Sequence, residues 1–218
     1  MTMTIDRNPE SGDRMKTISI EAAGVAPPQI APSLPPSVRR IVLTGFMGAG
    51  KSTVGRMLAT HLQWTFLDLD AHLEARAGAT IPDLFERHGE PHFRRLESSA
   101  LASALRQPQL VLALGGGAPE TLTNRLLLEQ TPGTLTIFLD APFATLFDRC
   151  MLQALNPGAG ASARDADRPN LRDSATAQAR FNLRHPLYRR MARITVETSA
   201  LSPEETVPLL LGAIAKSA

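Results

Sequence analysis

Residues 45 to 52 read GFMGAGKS, directly after the apolar run RRIVLTG (39–45) and at the head of a stretch with helical patterning (51–62). Few folds can use all three pieces in this order. An apolar strand must run into a glycine-rich turn, and the turn must lead straight into a helix N-terminus. In that context the fit to G-x-x-x-x-G-K-[ST] has a physical reading. Gly45 and Gly50 permit a tight path that turns backbone N–H groups inward. The helix N-terminus adds partial positive charge, so the loop suits phosphate oxygens. Lys51 can reach the β and γ phosphates of a nucleotide, and the Ser52 hydroxyl can ligate Mg²⁺.

The remaining chain repeats the strand-then-helix rhythm. Strand-length apolar runs recur at WTFLDLD (64–70), QLVLAL (109–114), TLTIFLD (134–140) and RITVET (193–198). Most are apolar on both faces, as strands covered on both sides are. Helical patterns fill 70–77, 81–88, 92–106, 119–130, 142–153 and 174–191. This alternation predicts a three-layer α/β domain, a parallel sheet with helices on both faces. Gly78 and Gly89 stand where helix C-caps are expected, and Thr80 with Asp83 and Ser202 with Glu205 form capping boxes. Pro208 predicts that the last helix is kinked or starts late. The length of 218 residues fits one domain.

Four further stretches stand out, three of which carry charge. In FLDLD (66–70), an extended strand would point Asp68 and Asp70 to the same face. They would lie beyond the strand's carboxyl end, in front of the phosphate loop, where a metal and a phosphate acceptor must sit. The alternative is a helix cap at Asp70 with Asp68 a solvated edge residue. LALGGGAP (112–119) runs a strand into Gly115, Gly116 and Gly117, leaving bare backbone where side chains would block a ligand, or simply a flexible turn. HFRRLES (92–98) places Arg94 early in a helix, able to clamp a carboxylate or to pair with Glu97 on the surface. RFNLRHPLYRR (180–190) puts Arg180 and Arg184 on one helical face, a ligand contact or a solvated basic face.

Composition closes off other classes. The single cysteine, Cys150, cannot form an internal disulfide, and Gly89 and Pro91 between His88 and His92 argue against a helical zinc pair. A net charge of +2 with scattered Lys and Arg gives no support to nucleic-acid binding. No apolar run reaches the 18 or more residues that span a membrane. Residues 1–37 hold six prolines and few large apolar residues, which predicts a disordered extension. They lack a secretory apolar core, and their four acidic residues fit a transit peptide poorly, so a cytoplasmic location is expected. The stretch 156–173 is rich in Gly, Ala, Pro and charge, a long loop of the kind that is mobile or functional.

From Arg39 onward the sequence resembles shikimate kinase. The resemblance rests on the order and spacing of GFMGAGKSTVGR, FLDLD, DLFERHGEPHFRRLES, LALGGG, an arginine-proline in the long loop and RHPLY. It implies ATP- and Mg²⁺-dependent phosphorylation of the 3-hydroxyl of shikimate, and a five-stranded sheet of order 2-3-1-4-5 with a mobile lid over about 156–173. It implies that Gly48, Ala49, Gly50, Lys51, Ser52 and Thr53 contact the nucleotide. Ser52 and Asp68 would serve Mg²⁺. Asp70 would hold shikimate hydroxyls and accept the proton. Arg94 and Arg184 would grip the carboxylate, with Gly115, Gly116 and Gly117 packed against the ring. Arg168 would close over the phosphates, with Lys51 as a second catalytic cation, and Arg149 would lie against adenine. The chain departs from the family in the lid, where Arg168-Pro169 is followed by Asn170 and Leu171 and the spacing from Arg149 is longer. Arg164 and Arg172 stand close enough to compete for that role. The partner is a small molecule, with neither nucleic acid nor membrane, and a monomer is expected. Two rival readings stay open, a kinase for another polyol acid such as gluconate and a non-catalytic ligand-sensing domain.

Overall fold

The centre of the sheet is β3 (Arg40–Thr44), whose Ile41, Val42 and Leu43 are fully buried. A strand this apolar can only sit between neighbours and under helices on both faces. In the computed structural model, which describes residues 4–6, 17–20, 34–155 and 173–216, it does so. It pairs in parallel with β5 (Leu110–Ala113) on one side and β6 (Thr134–Asp140) on the other. Beyond these lie β4 (Thr65–Asp68) and β7 (Ile194–Glu197), also parallel. Taken in chain order from β3, the five strands stand as 2-3-1-4-5, the expected arrangement.

Alternation along the strands divides the core. Ile41 and Leu43 join Val111, Ile137 and Leu139 in one cluster, under α1 (Lys51–Leu62) and α7 (Pro203–Lys216). Val42 joins Leu110 and Leu112 in a second cluster, under α2 (Leu69–Ala77), α3 (Ile81–Ala104) and α4 (Leu122–Gln130). Two more helices, α5 (Phe143–Leu155) and α6 (Ser174–Met191), flank the carboxyl ends of β6 and β7. Gly55 lets α1 lie close on β4, since a Cβ there would come within 2.5 Å of the Phe66 ring. Among the described residues no helix is long and apolar enough to cross a membrane.

Local signals were realised with some changes. Gly78 caps α2 in the left-handed conformation, and both predicted capping boxes form. The two helices predicted at 81–88 and 92–106 both form within α3, divided at Gly89, whose backbone is not helical (φ 73, ψ 172). The last helix starts at Pro203 and runs through Pro208 without a late start. One expectation is overturned. FLDLD is not extended to its end, because β4 stops at Asp68 and Leu69 begins α2. Asp68 itself caps that helix, accepting the Ala71 N–H at 3.3 Å, and this local bond ends the strand.

Over 1–37, where composition predicts disorder, the described residues include β1 (Thr4–Asp6) and β2 (Thr17–Ile20). These two pair antiparallel, and β2 adds in parallel to β7. Leu34 packs on the first core cluster. The long loop predicted as a lid lies outside the described residues, apart from Asp173, which caps α6.

Candidate active site

The phosphate loop, the FLDLD corner and the triple glycine all follow strand ends on the same edge of the sheet. Register makes this so: Leu43 and Asp68 are both aligned with Ala113. Three connections therefore leave the sheet side by side, at the carboxyl edge where such sheets bind ligands.

In the first connection, Gly48 (φ 78) and Gly50 (φ 83) take left-handed backbone. A Cβ on Gly48 would fall 2.3 Å from the carbonyl oxygen of Leu146 in α5, so the loop has no room for a side chain there. Gly50 leads into α1, whose N-terminus has no side-chain cap. Its first N–H groups are thus presented to the loop's concave side. Lys51 folds back over the turn and donates to the Phe46 carbonyl at 2.9 Å. Ser52 donates its hydroxyl to Asp68 Oδ2 at 2.8 Å, tying the loop helix to the second connection. Ala49 is buried within the turn and Thr53 follows in the first turn of α1.

The third connection gathers the remaining charges. A Cβ on Gly115 would lie 2.4 Å from Asp70 Oδ1, so the carboxylate rests against bare backbone. A Cβ on Gly117 would lie 2.9 Å from both Nη nitrogens of Arg94 and 3.3 Å from Nη2 of Arg184. Gly116 faces Nη1 of Arg184, and its carbonyl accepts the Tyr188 hydroxyl at 2.6 Å. One carboxylate from α2 and two guanidiniums from α3 and α6 thus converge on three successive glycines. No side chain could replace Gly115 or Gly117 without moving the charges, whereas a Cβ on Gly116 would stand 3.7 Å from Arg184 and Tyr188.

The arginines are held by acids. Arg94 donates from Nη1 to Glu97 (3.1 Å) and from Nη2 to Glu90 (2.9 Å). Burial works against its charge, but Glu97, Glu90 and Glu120 together outweigh it and raise its pKa. Glu97 is buried, and burial raises its carboxyl pKa although Arg94 pulls the other way. Asn124, also buried, donates to Glu97 and to the Ala118 carbonyl. Arg184 donates its Nε–H to Glu120. Of the pair Arg180 and Arg184, Arg184 is the member that reaches the glycine turn.

Arg149 of α5 lies at the far end of the crevice, donating to the carbonyls of Thr198 (2.5 Å) and Ser199 (3.2 Å) after β7. Arg168, with Arg164 and Arg172, lies outside the described residues. Glu120, Tyr188 and Asn124 were not singled out from the sequence. Tyr188 sits inside the quoted RHPLY, but Glu120 lies in a three-residue 3₁₀ turn with no periodic signal.

Comparisons with known proteins agree with this geometry. A family model described as shikimate kinase matches residues 47–215. The chain is 37% identical to a shikimate kinase of Bordetella bronchiseptica over 212 residues, covering 94% of this chain and 90% of that protein. It is 39% identical to a shikimate kinase of Pseudomonas entomophila over 173 residues, 78% of this chain and 92% of the relative. Among solved structures, shikimate kinase from Acinetobacter baumannii in complex with shikimate superposes with a TM-score of 0.71. That pair shares 35% identity over 83% of this chain and 94% of the other.

Proposed function

The chain belongs to the shikimate kinase family, and from that premise we propose that it transfers the γ-phosphoryl group of ATP to the 3-hydroxyl of shikimate, yielding ADP and shikimate 3-phosphate. The observation that carries the assignment is the meeting of Asp70, Arg94 and Arg184 on Gly115–Gly117, beside a phosphate loop at the same sheet edge. Shikimate is a small ring with a carboxylate and hydroxyls. Two guanidiniums suit the carboxylate, and a single carboxylate suits the hydroxyls.

In this reading Arg94 and Arg184 hold the substrate carboxylate over Gly117, and the bare backbone of Gly115 and Gly116 admits the ring. Asp70 orients the hydroxyls and accepts the proton of the attacking one. Phosphoryl transfer needs positioning and charge neutralisation more than covalent chemistry. Lys51 and the N–H groups of residues 48–53 supply positive charge to the phosphates. Ser52 and Asp68 are the residues that would hold Mg²⁺. A hydroxyl and a carboxylate oxygen 2.8 Å apart fit a hard cation that keeps phosphate and water among its ligands. When bound, Mg²⁺ neutralises phosphate charge. Arg149 is assigned to the adenine side, and Arg168 to the phosphates on sequence grounds. The same reading makes the protein a monomeric, cytoplasmic enzyme of aromatic amino-acid (chorismate) biosynthesis.

A coupled assay of ADP formation with shikimate, with gluconate and with neither tests the assignment. Shikimate should raise turnover far above the substrate-free rate, with gluconate close to background. Equal rates in all three arms would reject kinase activity on either acid, and a preference for gluconate would reassign the acceptor.

A further inference from the structure

Glu120 has no part in the roles given above, yet its carboxylate lies between the two arginines assigned to the substrate carboxylate. Oε1 accepts the Nε–H of Arg184, and Oε2 stands 3.9 Å from Nη2 of Arg94. The three side chains keep only 27%, 15% and 17% of their exposure for Glu120, Arg184 and Arg94 respectively. Charges this sheltered are screened less by salt than a surface pair.

The edge of the guanidinium that Glu120 uses matters. A guanidinium offers a carboxylate either its Nε side or its two terminal nitrogens. Glu120 takes the Nε side, which leaves Nη1 over Gly116 and Nη2 over Gly117. Arg94 brings both its Nη nitrogens to that same Gly117. Two guanidiniums meeting at one glycine repel each other, and a carboxylate reaching both offsets that repulsion.

Resting on the shikimate reading, we infer that Glu120 is a positioning residue for substrate carboxylate binding. It turns the fork of Arg184 toward the glycine turn and holds it beside Arg94. It does not touch the reacting atoms, so its effect falls on acceptor affinity and not on phosphoryl transfer.

The test is steady-state kinetics of Glu120→Gln and Glu120→Asp with shikimate and with its uncharged methyl ester, alongside wild type. Glu120→Gln keeps the shape and removes the charge. Its KM for shikimate should rise about tenfold, the usual scale for a hydrogen bond to a charged group. Its kcat and its KM for ATP should stay within about twofold, because uniform binding alone is lost. The ester's kcat/KM should not change, since it offers no carboxylate to the arginines. Glu120→Asp keeps the charge and should recover part of the affinity.

An unchanged KM would make Glu120 an ordinary ion pair, and a lower KM would make it a competitor of the substrate; either result overturns the inference. Equal losses for shikimate and ester, or a parallel loss for ATP, would do the same by showing general loosening. Should the amide fail to fold, Glu120→Ala supplies the same comparison. Wild type without shikimate-dependent turnover would refute the functional reading itself. Active wild type matched by Glu120→Gln would refute the role of Glu120 alone.

Discussion

Glu97 shows how much a single buried acid can decide. It is buried, carries the Nη1 side of Arg94 and takes a hydrogen bond from Asn124. Its raised carboxyl pKa means that the folded protein binds that proton more tightly than the unfolded chain does. This contribution to stability is full below the ordinary glutamate value of 4.5 and is lost as pH rises through the folded value. Glu97→Gln removes that dependence. Denaturant unfolding across a pH series should therefore show wild type losing stability relative to Glu97→Gln as pH climbs above 4.5. A constant difference across that range would mean Glu97 titrates alike in both states. Arg94 with Glu97 was legible in the sequence as an i,i+3 pair, but its burial was not. Burial comes from α4, which brings Asn124 over it, and no local pattern in HFRRLES announces that contact.

Among the elements, the glycine turn after β5 has the least freedom to change. A Cβ at Gly115 would stand 2.4 Å from Asp70 Oδ1, closer than any real contact, so Gly115→Ala must displace the carboxylate. Misplacement of a positioning group by a fraction of an ångström to an ångström costs up to about a hundredfold. We expect Gly115→Ala to lower kcat/KM for shikimate by about tenfold or more on that scale, with KM for ATP nearly unchanged. Gly78→Ala is the control. Nothing lies within 4 Å of its Cβ, but φ is +64°. It should cost about 1–2 kcal/mol of stability through left-handed strain and leave the kinetics alone. If both variants behave alike in thermal melts and kinetics, the turn is not a contact surface. The three glycines could be read from LALGGGAP as bare backbone. What they lie against could not, because Asp70, Arg94 and Arg184 come from three separate helices. The corner at FLDLD was misread for a related reason. Alternation suggested a strand through Asp70, whereas the cap formed by Asp68 turns the chain into α2 two residues earlier.

Across the protein, sheet topology joins two half-sites. The order 2-3-1-4-5 places β5 next to the strand that carries the phosphate loop and β4 just beyond it, so the proposed nucleotide and acceptor sides share one edge. Alternating strands and helices made this order predictable once the family resemblance was added, and the five strands and their helices fall close to the predicted bounds. The pairing of β2 with β7 was not predictable from a proline-rich segment, since TISI is too short to stand out. Asp68 and Asp70 sit at the seam, one bonded to Ser52 of the loop helix, the other against Gly115 of the acceptor turn. If the crevice is divided as proposed, their isosteric amides must fail differently. Steady-state kinetics of Asp68→Asn and Asp70→Asn over a grid of Mg²⁺ and shikimate concentrations measures this. Asp68→Asn should recover activity at raised Mg²⁺ with shikimate affinity barely altered. Asp70→Asn should lose about one to two powers of ten in shikimate affinity, as hydrogen bonds to a charged group are worth about 1.5–3 kcal/mol. Its kcat should fall as well, with no rescue by Mg²⁺ and with ATP affinity intact. The same defect and the same Mg²⁺ response in both variants would contradict the division of the site.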